Sequence, residues 1–180
     1  MANLKDIKRK ISSVKNTQKT TRAMKLVSSA KLRRTEELAK RSRVYAEKLT
    51  SMIDEIALKI QGLGDDANSS VYFAQKANPK NIDIIFITAD KGLCGGFNSN
   101  IAKAARLLAS QLKNDGKDVS LVCAGRKGGD LLKREYSGSI WERFTGITGK
   151  SRVEYVESQK VAQFILEKFE AGAFDVCTMI

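Results

Sequence analysis

The apolar and polar positions of this chain change character at its first glycine, Gly62. Upstream, Leu4, Ile7, Ile11 and Val14 recur at the alternating three- and four-residue spacing of a coiled-coil seam. Continued heptads reach Gln18, Thr21, Lys25 and Ser28, so the seam turns small and polar. An apolar patch resumes at Met24, Leu26, Val27, Ala30 and Leu32. Further on, Leu49, Ile53, Ile56 and Ile60 form a helical face, with Leu38, Tyr45 and Met52 beside it. Neither glycine nor proline interrupts 1–61, where Lys, Arg, Ala, Leu, Glu and Met dominate. The pattern predicts a single helix from about residue 3 to about residue 60. Asn3 or Asp6 is expected to cap its start, and Gly62 with Gly64 to end it.

Such a helix is roughly 85 Å long, against ~35 Å for a compact domain built from the remaining ~115 residues. Residues 45–60 suit a helix lying across its own domain; residues 1–40 outrun it. Apolar stripes at both ends give two packing surfaces, and the small polar middle admits close approach of another helix.

Downstream, Asn68-Ser69-Ser70 and Asn78-Pro79 mark a connector over 62–80. Ile82 to Ala89 reads as a buried strand, and the glycine-rich turn 90–98 leads into a helix over about 99–113. Val119 to Ala124 is a second strand; Arg126 to Glu135 is helical despite Gly128-Gly129; Ile140 to Phe144 is a short strand. Glu154 to Glu170 is an amphipathic helix through Val156, Val161, Phe164, Ile165, Leu166 and Phe169. Asp175 to Ile180 opens another buried strand. Strands alternating with helices predict the α/β class: a long N-terminal coiled-coil-type helix over 1–61, then a Rossmann-like three-layer domain with a mainly parallel sheet over 81–180. That domain is expected to be incomplete at its C-terminal end, because the chain stops inside a strand.

Charge sharpens the division. The net charge is +12, and residues 1–43 carry 14 lysines and arginines against Asp6, Glu36 and Glu37, which puts all but one of the net positive charges there. A basic arm of this kind meets something acidic: nucleic acid, anionic lipid or an acidic protein surface. A basic helix followed by Leu38, Tyr45 and Met52 at heptad spacing has the order of a basic-zipper protein, which makes nucleic-acid binding the alternative function. Against it, the seam from Leu4 to Val14 would face phosphate. No stretch reaches the ~18 apolar residues of a membrane span, and the N-terminus is charged where a signal peptide needs its apolar run. The expected location is cytoplasmic, or the cytoplasmic face of a membrane.

Candidate chemistry is sparse. Histidine, the commonest general acid/base, is absent. Cys94, Cys123 and Cys177 are widely spaced, which supports neither a zinc site nor a disulfide framework; all three are expected reduced and buried. The turn at 90–98 reads G-x-x-G-G, not G-x-G-x-x-G, and the second strand ends at Gly125-Arg126 without a ribose-binding acid. A tight turn is therefore favoured over a dinucleotide site, and an oxidoreductase reading falls with it. Residues 144–151 nearly match a phosphate loop, but Phe144 stands at its first required glycine. Asp83, Asp90, Glu154 and Glu157 have no spacing that selects them from solvated carboxylates. No catalytic residue, cofactor or metal is expected.

Two segments carry a specific resemblance. Thr20-Thr21-Arg22-Ala23-Met24-Lys25-Leu26-Val27-Ser28-Ser29-Ala30-Lys31-Leu32-Arg33-Arg34, with Ile7-Lys8-Arg9-Lys10-Ile11 and Val14-Lys15-Asn16-Thr17 before it, resembles the signature of the gamma-subunit family of F-type rotary ATP synthases. Asp90-Lys91-Gly92-Leu93-Cys94-Gly95-Gly96-Phe97-Asn98 is similar to that family's loop after the first strand. The resemblance spans the whole chain. It implies a non-catalytic central-stalk subunit, a rotor shaft coupling proton-driven rotation of the c-ring to conformational change in the ring of alpha and beta subunits. The implied partners are that ring, the epsilon subunit and the c-ring, with no nucleic acid. Membrane association is implied only through the complex, as a peripheral component on the cytoplasmic face of the inner membrane.

The resemblance further implies that Arg9, Lys10, Arg22, Met24, Lys25, Arg33 and Arg34 meet the alpha/beta ring. Leu4, Ile7, Ile11 and Val14 are then the seam against a second shaft helix, which the family carries beyond the length of this chain. Without that helix, an isolated fragment is expected to self-associate through those residues. Asp90, Lys91, Gly92, Cys94, Gly95 and Gly96 form the family loop. No cysteine pair resembles the redox switch of chloroplast relatives, so thiol regulation is not expected.

Overall fold

The computed structural model describes residues 3–62, 72, 76–147 and 153–180. The chain divides into two units, Met1–Ala74 and Gln75–Ile180. The expected connector lies largely outside the described residues.

In the first unit a single α-helix, α1, runs Leu4–Gly62. Asn3 opens it: its Oδ1 accepts the Lys5 N–H at 3.3 Å, and its carbonyl accepts that of Asp6 at 2.8 Å. This satisfies donors that the first turn leaves unpaired. Over 4–60 the residues are exposed, except half-buried Ala57 and Ile60. Leu4, Ile7, Ile11, Val14, Met24, Leu26, Leu49, Ile53 and Ile56 are all among the exposed apolar side chains. Helical stability normally comes from packing an apolar face, and here the apolar faces are uncovered. Among the described residues, no helix is long and apolar enough to cross a membrane.

The second unit is an α/β sandwich in the order β1 (Asn81–Ile87), α2 (Phe97–Asn114), β2 (Asp118–Ala124), α3 (Arg126–Leu132), β3 (Ile140–Phe144), α4 (Tyr155–Glu170) and β4 (Val176–Met179). Its four strands lie in the order β3-β2-β1-β4, and every pairing is parallel. The order reverses between β1 and β4, as at the switch point of doubly wound folds. β1 and β2 pair over their full lengths, from Asn81 opposite Asp118 to Ile87 opposite Ala124.

Alternation along the strands sorts the side chains. Ile84 and Phe86 of β1 and Val119, Leu121 and Cys123 of β2 point to one face, where Ala102, Ala105 and Ala109 of α2 with Leu132 and Tyr136 complete the core. Three alanines at helical spacing let α2 lie close to the sheet. On the opposite face α4 is tied by edge-on contact of Phe164 with Phe144 (5.7 Å) and by Phe169 with Phe174 (5.5 Å).

α4 shows the expected amphipathic pattern, with Val161, Phe164, Ile165 and Phe169 half-buried, over an apolar groove of about 650 Å³ lined by Ile85, Ile87, Ala124, Ile165, Cys177 and Met179 among others. One expectation needs correction here. β4, expected to be buried, is only half covered, with Val176 and Met179 exposed. Among the described residues it pairs with β1, and the face above it opens onto that groove.

Candidate functional site

The helix presents the first candidate surface. Successive residues turn by about 100°, so Arg22 and Arg33 share one face, and Arg9 and Arg34 share a second about a third of a turn away. Lys10, Met24 and Lys25 spread over the remainder. All seven are exposed; they girdle the helix and do not line one face of it. Two of the acids that share the helix with them are engaged, Glu37 with Arg33 at 3.6 Å and Glu36 with Lys40 at 3.0 Å. Exposed pairs of this kind contribute a few tenths of a kcal/mol each.

Between the apolar ends, threonine hydroxyls turn inward. Thr17 donates to the Ser13 carbonyl, Thr20 to that of Asn16, and Thr21 to those of Thr17 and Gln18, each at 3.0 Å. Satisfying themselves on their own helix, these groups leave a low-relief face lined by Ser12, Ser13, Asn16, Thr17, Thr20 and Thr21.

The second candidate is the loop after β1, at the carboxyl end of the sheet. Asp90 is buried, and its Oδ1 accepts the N–H groups of Arg126 (3.0 Å) and Gly146 (3.1 Å). Arg126 returns a guanidinium bond to the Asp90 carbonyl at 3.1 Å. The Asn98 Oδ1 accepts the Ala89 N–H at 2.9 Å, while its amide group donates to Cys94 Sγ (3.1 Å) and to the Lys91 carbonyl (3.4 Å). The loop is thus a closed turn running directly into α2 at Phe97. Gly95 takes φ +59°, a left-handed conformation that glycine adopts without strain. Leu93 shares that region at φ +63° and is 93% exposed. Lys91, Gly92 and Gly96 are exposed as well.

Behind the loop, Thr88 locks β1 to β2 and α3. Its N–H donates to the Ala124 carbonyl (2.8 Å), and its hydroxyl donates to the Gly125 carbonyl (3.2 Å) and accepts the Gly128 N–H (2.9 Å). Arg143 crosses α3 on the other side, bonding Asp130 at 2.7 Å and the Arg126 carbonyl at 3.3 Å. Sequence reasoning missed Thr88, Arg143 and Asp175. Asp175 accepts the N–H groups of Asn81 and Lys80 and an ion pair from Lys76, which together hold its carboxyl down at about 2.

Several expectations for individual side chains change. Asp83 and Asp90, expected to be solvated, are both buried; the signal for Asp83 was its place inside an unbroken apolar strand. Glu154 stays exposed, as expected, and with half-buried Glu157 builds a capping box at the start of α4. Cys94, expected to be buried, is exposed, because it sits at the turn and not in a strand. Cys123 is buried and Cys177 half-buried. Burial pushes the Cys123 thiol up to about 11, and burial with the Asp83 charge pushes that of Cys177 up to about 12. The phosphate-loop near-match falls partly outside the described residues; within them, Phe144 ends β3 as a packing residue.

A family model described as ATP synthase matches residues 3–180. An ATP synthase gamma chain of Aliarcobacter butzleri is 44% identical over 181 residues, covering 100% of this chain and 60% of that relative. The chain belongs to the ATP synthase gamma family. A gamma chain of Sulfurovum sp. is 62% identical over 133 residues, 74% of this chain and 45% of the relative. Among solved structures, one from the Tetrahymena thermophila mitochondrial ATP synthase central stalk and c-ring overlays with a TM-score of 0.49 at 20% identity, covering 73% of this chain and 64% of that one. The chain spans 60% or less of the length of these gamma-chain relatives.

Proposed function

We propose that this gamma-family chain forms the N-terminal part of a rotor shaft, a non-catalytic central-stalk subunit of an F-type ATP synthase. Its partners on this reading are the alpha and beta subunits of the catalytic ring, the epsilon subunit and the c-ring, and it reaches the membrane only through that complex, on the cytoplasmic face. The observation that carries the reading is α1: 59 helical residues, basic all round, with exposed apolar faces at both ends.

Each feature has a mechanical consequence. Stiffness over such a length transmits torque. A collar of cations with no favoured face attracts an acidic ring at every angle, since charge attraction acts over about 8 Å at physiological salt and does not depend on fitted contact. Tightly interlocked apolar contacts would instead hold one angle, and the small polar face at 12–21 offers little to interlock. The seam from Leu4 to Val14 is the surface for a second shaft helix. The loop at 90–98, with exposed Lys91 and Leu93, is a second place for the shaft to touch the ring.

The test is a chimera in which residues 1–180 replace the corresponding segment of a full-length gamma chain, mixed with alpha and beta subunits and assayed for ATP hydrolysis. The chimera is expected to assemble and to support hydrolysis at a rate within a few-fold of the parent gamma chain. A chimera that folds but fails to associate with the ring contradicts the reading.

A further inference from the structure

One carboxylate grips both ends of the segment that leads the connector into the sheet. Asp175 directly precedes β4, and only 8% of its side chain is exposed. Its Oδ1 takes the ion pair from the Lys76 ammonium, and its Oδ2 accepts the N–H groups of Lys80 (2.8 Å) and Asn81 (2.9 Å). Asp175 is itself fixed: its N–H donates to the Asn81 carbonyl at 2.8 Å, and Val176 follows opposite Ile82 in the sheet.

Between the two grips lies Pro79, the only proline of the chain. Its ring fixes its own φ and biases Asn78 toward an extended conformation. Residues 76–81 therefore form a braced bracket, stiffened within and held at both ends. All of it belongs to the second unit.

What the bracket removes is slack. Without the carboxylate, Lys80 stays attached through its carbonyl, which accepts the Asp118 N–H at 3.0 Å. Residues 76–79 lose the grip at their far end. Four residues reach about 14 Å when extended. Turning a helix about 11 Å across by a third of a turn moves its surface by about 12 Å. Loose chain of that length absorbs a rotation of that size instead of passing it on. We propose that Asp175 is a positioning residue of the rotor, which brackets Lys76–Asn81 so that this stretch of chain transmits rotation between α1 and the α/β unit. The role rests on the shaft reading, whereas the bracket stands on its own contacts.

Two measurements separate the bracket from its role. Hydrogen exchange of the 180-residue chain reads the bracket. Asp175→Ala is expected to cost the Lys80 and Asn81 amides about tenfold in protection, the loss of one hydrogen bond each, while the amides of α2 keep theirs. Unchanged protection at both amides overturns the bracket. The role is read in the chimera that carries residues 1–180 in a full-length gamma chain, built into a complete membrane-bound synthase, through ATP hydrolysis and ATP-driven proton pumping. The parent chimera is expected to do both. Asp175→Ala is expected to hydrolyse ATP at nearly the parent rate and to pump severalfold fewer protons per ATP. Lys76→Ala leaves both backbone grips, and with them the fold, in place, and is expected to lie between the two. Lys76→Arg keeps the ion pair and is expected to match the parent. Equal pumping per ATP in the parent, Lys76→Ala and Asp175→Ala overturns the role and leaves the shaft reading intact. A parent chimera that folds but does not associate with the ring overturns the shaft reading, and the role with it.

Discussion

Replacing Arg22, Lys25, Arg33 and Arg34 together with glutamate is expected to abolish the ability of the chimeric shaft to support hydrolysis by the alpha/beta ring, without unfolding the chain. All four side chains are exposed on α1, and of the four only Arg33 shares an ion pair with another described residue. Surface changes of this kind shift stability by about 0.5 kcal/mol or less, so α1 should keep its helical circular dichroism. At the ring the effect is much larger. Each reversal changes the local charge by two, and like charges brought together at an interface cost several kcal/mol. Activity should fall at least tenfold, which requires only about 1.4 kcal/mol. The neutral quadruple alanine variant should fall between the two, and raising the salt should bring the parent toward it, because the attraction is screened. Normal hydrolysis by the glutamate variant would show that the collar of cations does not face the ring.

Gly125→Ala is expected to unfold the α/β unit or come close to it. Gly125 sits at φ +119° and ψ +133°, close to a region that essentially only glycine populates. A Cβ built there would lie 2.0 Å from the Thr88 carbonyl oxygen and 2.7 Å from its hydroxyl. The clash is with backbone, so no rotamer change relieves it. Moving Thr88 aside breaks its bonds to Ala124, Gly125 and Gly128, and moving Gly125 breaks its N–H bond to the Phe144 carbonyl at 2.8 Å. Strain with two or three lost buried hydrogen bonds amounts to about 3–5 kcal/mol. For a unit of this size that lowers the melting temperature by on the order of 15–30 °C. Gly116→Ala is the control: φ there is +74° with nothing within 4 Å, so a loss of about 1–2 kcal/mol is expected. Trp141 fluorescence follows the α/β unit separately from the helix. Equal melting temperatures for the two variants would contradict this account of the β2–α3 turn.

Legibility differed between the two units for physical reasons. A helix without glycine or proline announces itself locally, and α1 emerged within two residues of its predicted ends. The strand–helix alternation was equally plain, because apolar runs such as 82–87 and 119–124 need burial on both faces. Burial itself was harder to read. Asp83 and Asp90 look like surface acids until the sheet packs Ser120 and Cys177 around one and the Arg126 and Gly146 N–H groups around the other. Those partners lie tens of residues away in sequence, and nothing local encodes them. Cys94 failed in the opposite sense: its apolar neighbours belong to a turn and not to a strand. The positions of Arg22, Met24 and Lys25 on a helix were legible from spacing, whereas their service as a ring contact rests on family resemblance.

Rotation tests the central proposal most directly. Cys94 is exposed, Cys123 is buried, and half-buried Cys177 has its thiol pushed up to about 12, so a maleimide probe can be directed to Cys94. With the alpha/beta ring fixed to a surface and the labelled chimera assembled inside it, ATP should drive the probe round in one direction, in steps of a third of a turn that reflect the three catalytic sites of the family. Hydrolysis with a probe that stays fixed relative to the ring would contradict the shaft.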